Sequence, residues 1–433
     1  MTNNLKYNIS DKVPFPQILI YAIQQCLSIF VATVLIANIC GTPVDACLIG
    51  ACLGTLTYQL ITGFRSPMFI SSCGATVSAV VGALSIGDGN NYFAVFIGGL
   101  IIALVYGIFS ILISKLGIDR LRKVLPSTII GPITIVIGLN LAKFIPTYVG
   151  QTGGESNMAG VIVALVTMII VAVSSHYFKG FWKTIPFLIG LAGGYLISVI
   201  LTLTGIAPLV DFSLFQNIGL FNIPDFSFMH WSVKGMTVAD VSTIVLLFVP
   251  VSICAICEHW ADHLTLSHII GTDLTKTPGL DRTLLGDGIA SCLGTAVCGL
   301  PNTSYGESIA TTGFSRVAST RVITVAALIT GALAFFSPIQ ALIASIPSCV
   351  FGGCAIILYG FIAASGLKTL VRDKVNLEDN KNLIVVCAIL TIGVSGVYLF
   401  SSSFAGVSLA MVVGVILNLI LKNPKEKRKE NNQ

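Results

Sequence analysis

PNTSYGESIATTGFSR, residues 301–316, decides how the rest of the chain is read. It holds one acid, Glu307, among small and polar residues, with long apolar segments on both sides. A carboxylate at membrane depth is costly and is kept where it touches a substrate, an ion or a proton path. The run from Pro301 to Gly306 is too polar and irregular for a lipid-facing helix. Such backbone survives at that depth only where protein buries it or it lines a cavity. The stretch therefore predicts a polytopic membrane protein with a polar site in its middle.

The flanking sequence agrees. The 433 residues are 55% hydrophobic and 10% charged, where soluble proteins carry about 25% charged residues. That excludes a soluble core and a disordered chain. Apolar spans fall near 17–39, 45–63, 68–86, 92–114, 126–146, 157–176, 183–204, 238–262, 284–299, 302–315, 320–343, 348–366, 382–400 and 404–421. With the N-terminus inside, all but two of the 24 Lys and Arg residues lie in inner segments, the exceptions being Lys143 and Lys234. Dropping either polar span, 68–86 or 302–315, inverts everything after it and spoils this partition. The net charge of +5 marks a cytoplasmic face, not a nucleic-acid patch. The apolar stretch after residue 16 lacks a small-x-small cleavage site and reads as an uncleaved first helix, with both termini cytoplasmic. The 12 cysteines, including the Cys254-x-x-Cys257 pair, lie almost entirely in apolar segments and read as small core residues, with no metal or cofactor expected.

The chain repeats itself in order. ACLGT (51–55) returns as SCLGT (291–295), SSCGAT (71–76) as TSYGES (303–308), and LPSTIIGPITI (125–135) as IPSCVFGGCAI (346–356). Seven spans per copy is an odd number, so the second copy enters the membrane inverted. Inverted repeats with matching interrupted segments place a transporter site where the interruptions meet. The expected fold is all-α and polytopic, with fourteen spans in two inverted seven-span repeats. In spans 3 and 10, extended residues (69–72 and 302–305) pair as two short antiparallel strands and lead into half-helices (74–86 and 307–315). The half-helix N-termini offer free backbone N–H groups and a partial positive charge. Donors near Cys73, Gly74 and Gly306 with an acceptor at Glu307 suit a planar ring bearing alternating C=O and N–H groups.

A second acid, Glu258, lies in CEHWADH (257–263), with Asp262 one turn on along the same helix face. Asp240 and Asp287 fall nearer segment ends and read as caps or snorkelling residues. His259, His263 and His268 cluster beside Glu258 without a converging metal geometry. They read as packed residues, with His259 and His263 as candidates for a proton relay.

Several stretches resemble the nucleobase–ascorbate transporter (nucleobase:cation symporter) family, most of all its bacterial uracil permeases. They are the small-residue run at 71–75, AxxEH at 255–259, DLxxxPGL at 273–280, PNTxYGExI at 301–309 and GxxxxLYGxIxASG at 353–366. The resemblance runs from about residue 13 to 421. It implies a cytoplasmic N-terminus (1–16), a core domain (17–124 and 237–345), a gate domain (125–205 and 346–421), an extracellular loop (206–236) and a basic cytoplasmic tail (422–433). By the same resemblance Glu258 and Glu307 bind the base, Gly306 and Cys73 contribute backbone N–H groups, and Tyr305 packs beside the site.

Some positions depart from the family pattern. Gln24-Gln25 replaces a Gln-His pair, which passes any role of that histidine to Gln25. Cys73 replaces a phenylalanine, Asp262 a histidine, and Ser308-Ile309-Ala310 an Asn-x-Gly. The resemblance implies a cation symporter importing a nucleobase, uracil first and a xanthine-type purine second, by alternating access. Proton is the expected coupling ion and sodium the alternative, with Glu258, Asp262 and Glu307 as the coupling acids. A homodimer in the cell membrane is implied. An anion exchanger of the same fold is less favoured, because a glutamate at 307 repels anions. An enzyme is not expected, because no nucleophile–base pair converges.

Overall fold

The computed structural model describes residues 5–117, 126–152, 155–216, 218–399 and 401–421. Arg120, Arg122, Lys123 and the basic tail from Lys422 lie outside the described residues. Among the described residues, fifteen α-helices of eight residues or more follow in order. They are α1 (Phe15–Cys40), α2 (Val44–Ile61), α3 (Val77–Leu84), α4 (Tyr92–Leu116), α5 (Ser127–Leu141), α6 (Met158–Tyr177), α7 (Pro186–Leu203) and α8 (Val238–Ile270), then α9 (Leu280–Cys298), α10 (Gly306–Ser315), α11 (Thr320–Leu333), α12 (Ser337–Ser345), α13 (Ser348–Arg372), α14 (Asn380–Ser395) and α15 (Val407–Ile420). Eight helices among the described residues are long and apolar enough to cross a membrane: α1, α2, α4, α5 with its extension to Tyr148, α6, α7, α8 and α13. Four apolar ones are shorter: Gly74–Leu84, α11, α14 and α15.

Boundaries differ from the sequence reading in three places. Helix α8 continues to Ile270, about 50 Å at 1.5 Å per residue, and stops where Gly271 takes a left-handed φ of 70°. Helix α9 begins at Leu280, a turn before residue 284. The span 320–343 breaks into α11 and α12 at 334–336, where the Ser337 N–H donates to the Leu220 carbonyl.

Two short strands, β1 (Ile70–Ser72) and β2 (Asn302–Ser304), pair antiparallel with Ile70 opposite Ser304 and Ser72 opposite Asn302. All six residues are buried, so their backbone groups need protein partners. Thr55 of α2 supplies two, accepting from the Ile70 N–H at 3.0 Å and donating to its carbonyl at 2.9 Å. The Asn302 amide donates to the Gly50 carbonyl of α2 (2.9 Å) and the Ala290 carbonyl of α9 (3.1 Å), and the Ser291 hydroxyl donates to the Asn302 carbonyl. This explains the repeated CLGT motif. A Cβ on Gly54 would stand 2.5 Å from the Asn302 side-chain nitrogen, and one on Gly294 2.7 Å from the same atom. Only glycine lets both helices approach the strand pair so closely.

Helix packing surrounds this centre. Helix α9 packs on α4 and α2, α11 on α1 and α2, and α8 on α4 and α10. Separately, α13 packs on α5 and α6, α6 on α7, and α14 on α5 and α15. Outward faces of α6 and α7 expose Ile162, Leu165, Ile169, Leu196 and Ile200, the pattern of a lipid-facing surface. The connection between α7 and α8 is clamped at two points. Asn222 N–H donates to Phe335 O, and the Ser227 hydroxyl donates to Ala296 O at 2.9 Å.

Candidate functional site

Helix α10 opens the site. Its N-cap, Tyr305, is extended (φ −117°, ψ 115°) because β2 runs straight into it, and no side chain caps the end. Glu307 sits in the first turn. The backbone N–H groups of such an end have no intrahelical partners and favour an acceptor. Gly306 faces open space: a Cβ there would meet nothing within 4 Å. On the other repeat, Cys73 is likewise extended (φ −82°, ψ 112°) and leads into a single 3₁₀ turn, Gly74–Thr76, before α3.

A cavity of about 330 Å³ lies beside α10, within the usual range for a small-molecule site. Glu258 and Asp262 of α8 and Gly306 and Glu307 of α10 line it together. The three acids are each half-buried, turned into the cavity. Asp262 Oδ2 accepts from the Ser304 hydroxyl at 2.9 Å, which ties α8 to the end of β2. Such a wall offers carboxylate acceptors to ring N–H groups and helix-end donors to ring carbonyls.

Other expected site residues do not reach the cavity lining. Cys73 is buried, and its N–H donates to the Pro301 carbonyl at 2.8 Å. The amide assigned to the base is therefore spent on the strand ladder, and half-buried Gly74 follows it at the start of the 3₁₀ turn. Gln25 is buried between α1 and α10, donating to Thr312 Oγ1 (3.1 Å) and Ser308 O (3.4 Å). Tyr305 is 5% exposed and belongs to the core behind the site.

The histidines join a buried network. His259 Nδ1 lies 3.0 Å from Asp287 Oδ2, and its Nε2 lies 3.1 Å from Thr283 Oγ1. Asp287 also accepts from the Thr303 hydroxyl of β2 at 3.3 Å. His263 Nδ1 donates to the His259 carbonyl (2.8 Å), and its Nε2 meets the Tyr58 hydroxyl at 2.7 Å. This corrects the reading of Asp287 as a cap. Because α9 starts at Leu280, Asp287 falls in its third turn and faces the interior, with no exposed surface. Asp240, by contrast, does cap: its Oδ2 accepts from the Thr237 N–H at 2.7 Å. Among the described residues, no group of three or more His, Cys, Asp or Glu is arranged to hold a metal ion.

Sequence reasoning missed the opposite wall. Ser28 of α1, Thr134 of α5, Ser175 of α6, Lys183, and Ser365 and Thr369 of α13 all line the cavity. The signal was present in α13, where Leu358, Phe361, Ile362 and Ser365 recur at helical spacing within the GxxxxLYGxIxASG stretch.

A helix end that is led in by a buried strand pair and opens on an acid-lined cavity inside an apolar helical body defines a membrane transporter of small polar molecules. Sequence comparison makes the class specific. The xanthine/uracil permease profile, described as "Permease family", matches residues 16–402. The chain is 34% identical over 422 residues to the uracil permease of Bacillus subtilis (strain 168), covering 95% of this chain and 94% of that one. It is 36% identical over 423 residues to the uracil permease of Bacillus caldolyticus, covering 96% and 94%. Among solved structures, the transmembrane domain of the cyanobacterial bicarbonate transporter BicA is similar in fold, with a TM-score of 0.63 at 16% identity, covering 94% of this chain and 99% of that one. SLC26A9 gives 0.65 at 13%, covering 94% and 66%. The chain belongs to this permease family and is a multi-pass nucleobase permease, not an enzyme.

Proposed function

We propose that this permease imports uracil by proton-coupled symport with alternating access. The carrying observation is that Glu258 and Glu307, from two different helices, line one cavity with the open N-terminus of α10. The base's ring N–H groups donate to the two glutamates, and a carbonyl accepts from the backbone at Gly306. Cys73 and Gly74 act from behind the lining, where the 3₁₀ turn packs on α8. Gln25, with Tyr305 behind the strand, acts by holding α10 against α1. Glu258 carries the proton, with Asp262 one turn away disfavouring a second negative charge; sodium is the alternative ion.

Fourteen crossings in two inverted repeats fit the antiparallel meeting of β1 and β2, one from each copy. The two packing groups support a core of spans 1–4 and 8–11 and a gate of spans 5–7 and 12–14. Both termini lie in the cytoplasm on this reading, the loop at 206–236 outside, and the gate helices carry a homodimer contact. Asp262 in the lining favours a second reading, a xanthine-type purine substrate. The test is binding of labelled uracil to purified protein, with xanthine as competitor. Glu307→Ala should abolish binding, and retained micromolar affinity overturns the site.

A further inference from the structure

Among the described residues, the cavity lining contains one basic side chain, Lys183, and three acids. It lies in the 3₁₀ turn Gly180–Thr184 between α6 and α7, and this turn packs on α10. Among the described residues no carboxylate pairs with Lys183. Its ammonium instead lies 5.3 Å from the centre of the Phe314 ring. Phe314 is half exposed and sits two turns beyond Glu307 on the same face of α10, with Ala310 between them in the lining. An ammonium within about 6 Å of a ring is attracted to its face.

The position of the contact gives it a consequence. Phe314 is carried by α10, which packs on α1 and α8. Lys183 is carried by the connection between α6 and α7, and α6 packs on α13. The cavity lies between these groups, and the Lys183–Phe314 pair bridges them at the C-terminal end of α10, away from Glu307. We propose that Lys183 is a gating residue of the transport cycle, resting on Phe314 to hold that end of the cavity shut and leaving the ring when the base passes. The proposal rests on the alternating-access reading above, although its test does not require uracil to be the substrate.

Cys257 lines the same cavity and supplies a native reporter. The rate at which a small maleimide modifies Cys257 in the full-length protein, read by peptide mass spectrometry, measures opening. Lys183→Ala should raise that rate about fivefold, within the roughly two- to thirtyfold that a cation–π contact allows. Lys183→Arg should restore the wild-type rate, because a guanidinium also stacks on the ring. Phe314→Leu should match Lys183→Ala, and the double variant should equal either single one. A rate within 1.5-fold of wild type in Lys183→Ala, or effects that multiply in the double variant, overturns the proposal. Failure of the wild-type protein to bind uracil would instead defeat the substrate reading and leave the gate standing.

Discussion

Replacing Gly294 by alanine probes the construction of the site from behind. A Cβ at this position would stand 2.5 Å from the Leu300 carbonyl and 2.7 Å from the Asn302 side-chain nitrogen. Neither neighbour yields freely, since the first is backbone and the second donates to Gly50 O and Ala290 O. Overpacking of this kind costs about 1–3 kcal/mol, and each Asn302 hydrogen bond that is lost adds about 1 kcal/mol. A total near 3 kcal/mol should lower the melting temperature by about 3–6 °C for a chain of this length, extending the size trend of smaller domains. Most cysteines are buried, so their reaction with a fluorogenic maleimide during heating reports unfolding in detergent. Because β2 runs directly into α10, the same variant should weaken base binding. Gly306→Ala is the control. Its Cβ meets nothing within 4 Å, so stability should hold while binding falls. If the two variants melt within 1 °C of each other, the close-approach explanation of the repeated CLGT motif is wrong.

Asp287→Ala leaves buried His259 and Thr303 without their acceptor and should destabilise by about 1–3 kcal/mol, the cost of a buried polar group left unsatisfied, read as lost folded yield, with Asp287→Asn partly spared. Glu258→Gln should retain an acid-lined cavity yet lose uphill accumulation driven by a proton gradient, measured in proteoliposomes. Unchanged accumulation would remove Glu258 as the carrier. Ser304→Ala takes the hydroxyl from Asp262 Oδ2 and should weaken binding about three- to tenfold, the scale of one ordinary hydrogen bond. Thr237→Ala, which breaks the cap of α8, should cost about 1 kcal/mol in thermal stability and leave uptake unchanged.

The strand pair was legible because two polar interruptions stood in matching places of a repeat, and polar backbone at membrane depth has few solutions. Glu258, Asp262 and Glu307 were legible for the same reason: an acid in an apolar span is conspicuous. Asp287 was not, because its role depends on where α9 begins, and four residues of error moved it from an interior turn to an end. The bond from Cys73 N–H to Pro301 O was equally hidden. A sequence shows that a strand exists but not how far its ladder runs. On α5 and α6 the opposite wall escaped because these helices are apolar almost all round, so their few hydroxyls, such as Thr134 and Ser175, carry no facial signal. Lys183 was read only as one of many inner basic residues, and its aromatic partner lies more than a hundred positions away.

The clamped connection between α7 and α8 sets a limit on movement. Beyond Leu220 it is fastened to Phe335, Ser337 and Ala296, so that part travels with α9, α11 and α12. Before that clamp the connection is also held: the Leu209 and Val210 N–H groups donate to the Thr202 hydroxyl of α7, and the 3₁₀ turn Phe212–Phe215 packs on α12. The hand-over from α7 to α12 therefore falls between Val210 and Phe212, two steps of chain with a reach of about 7 Å, so α7 cannot slide far from α12 without breaking one of these holds.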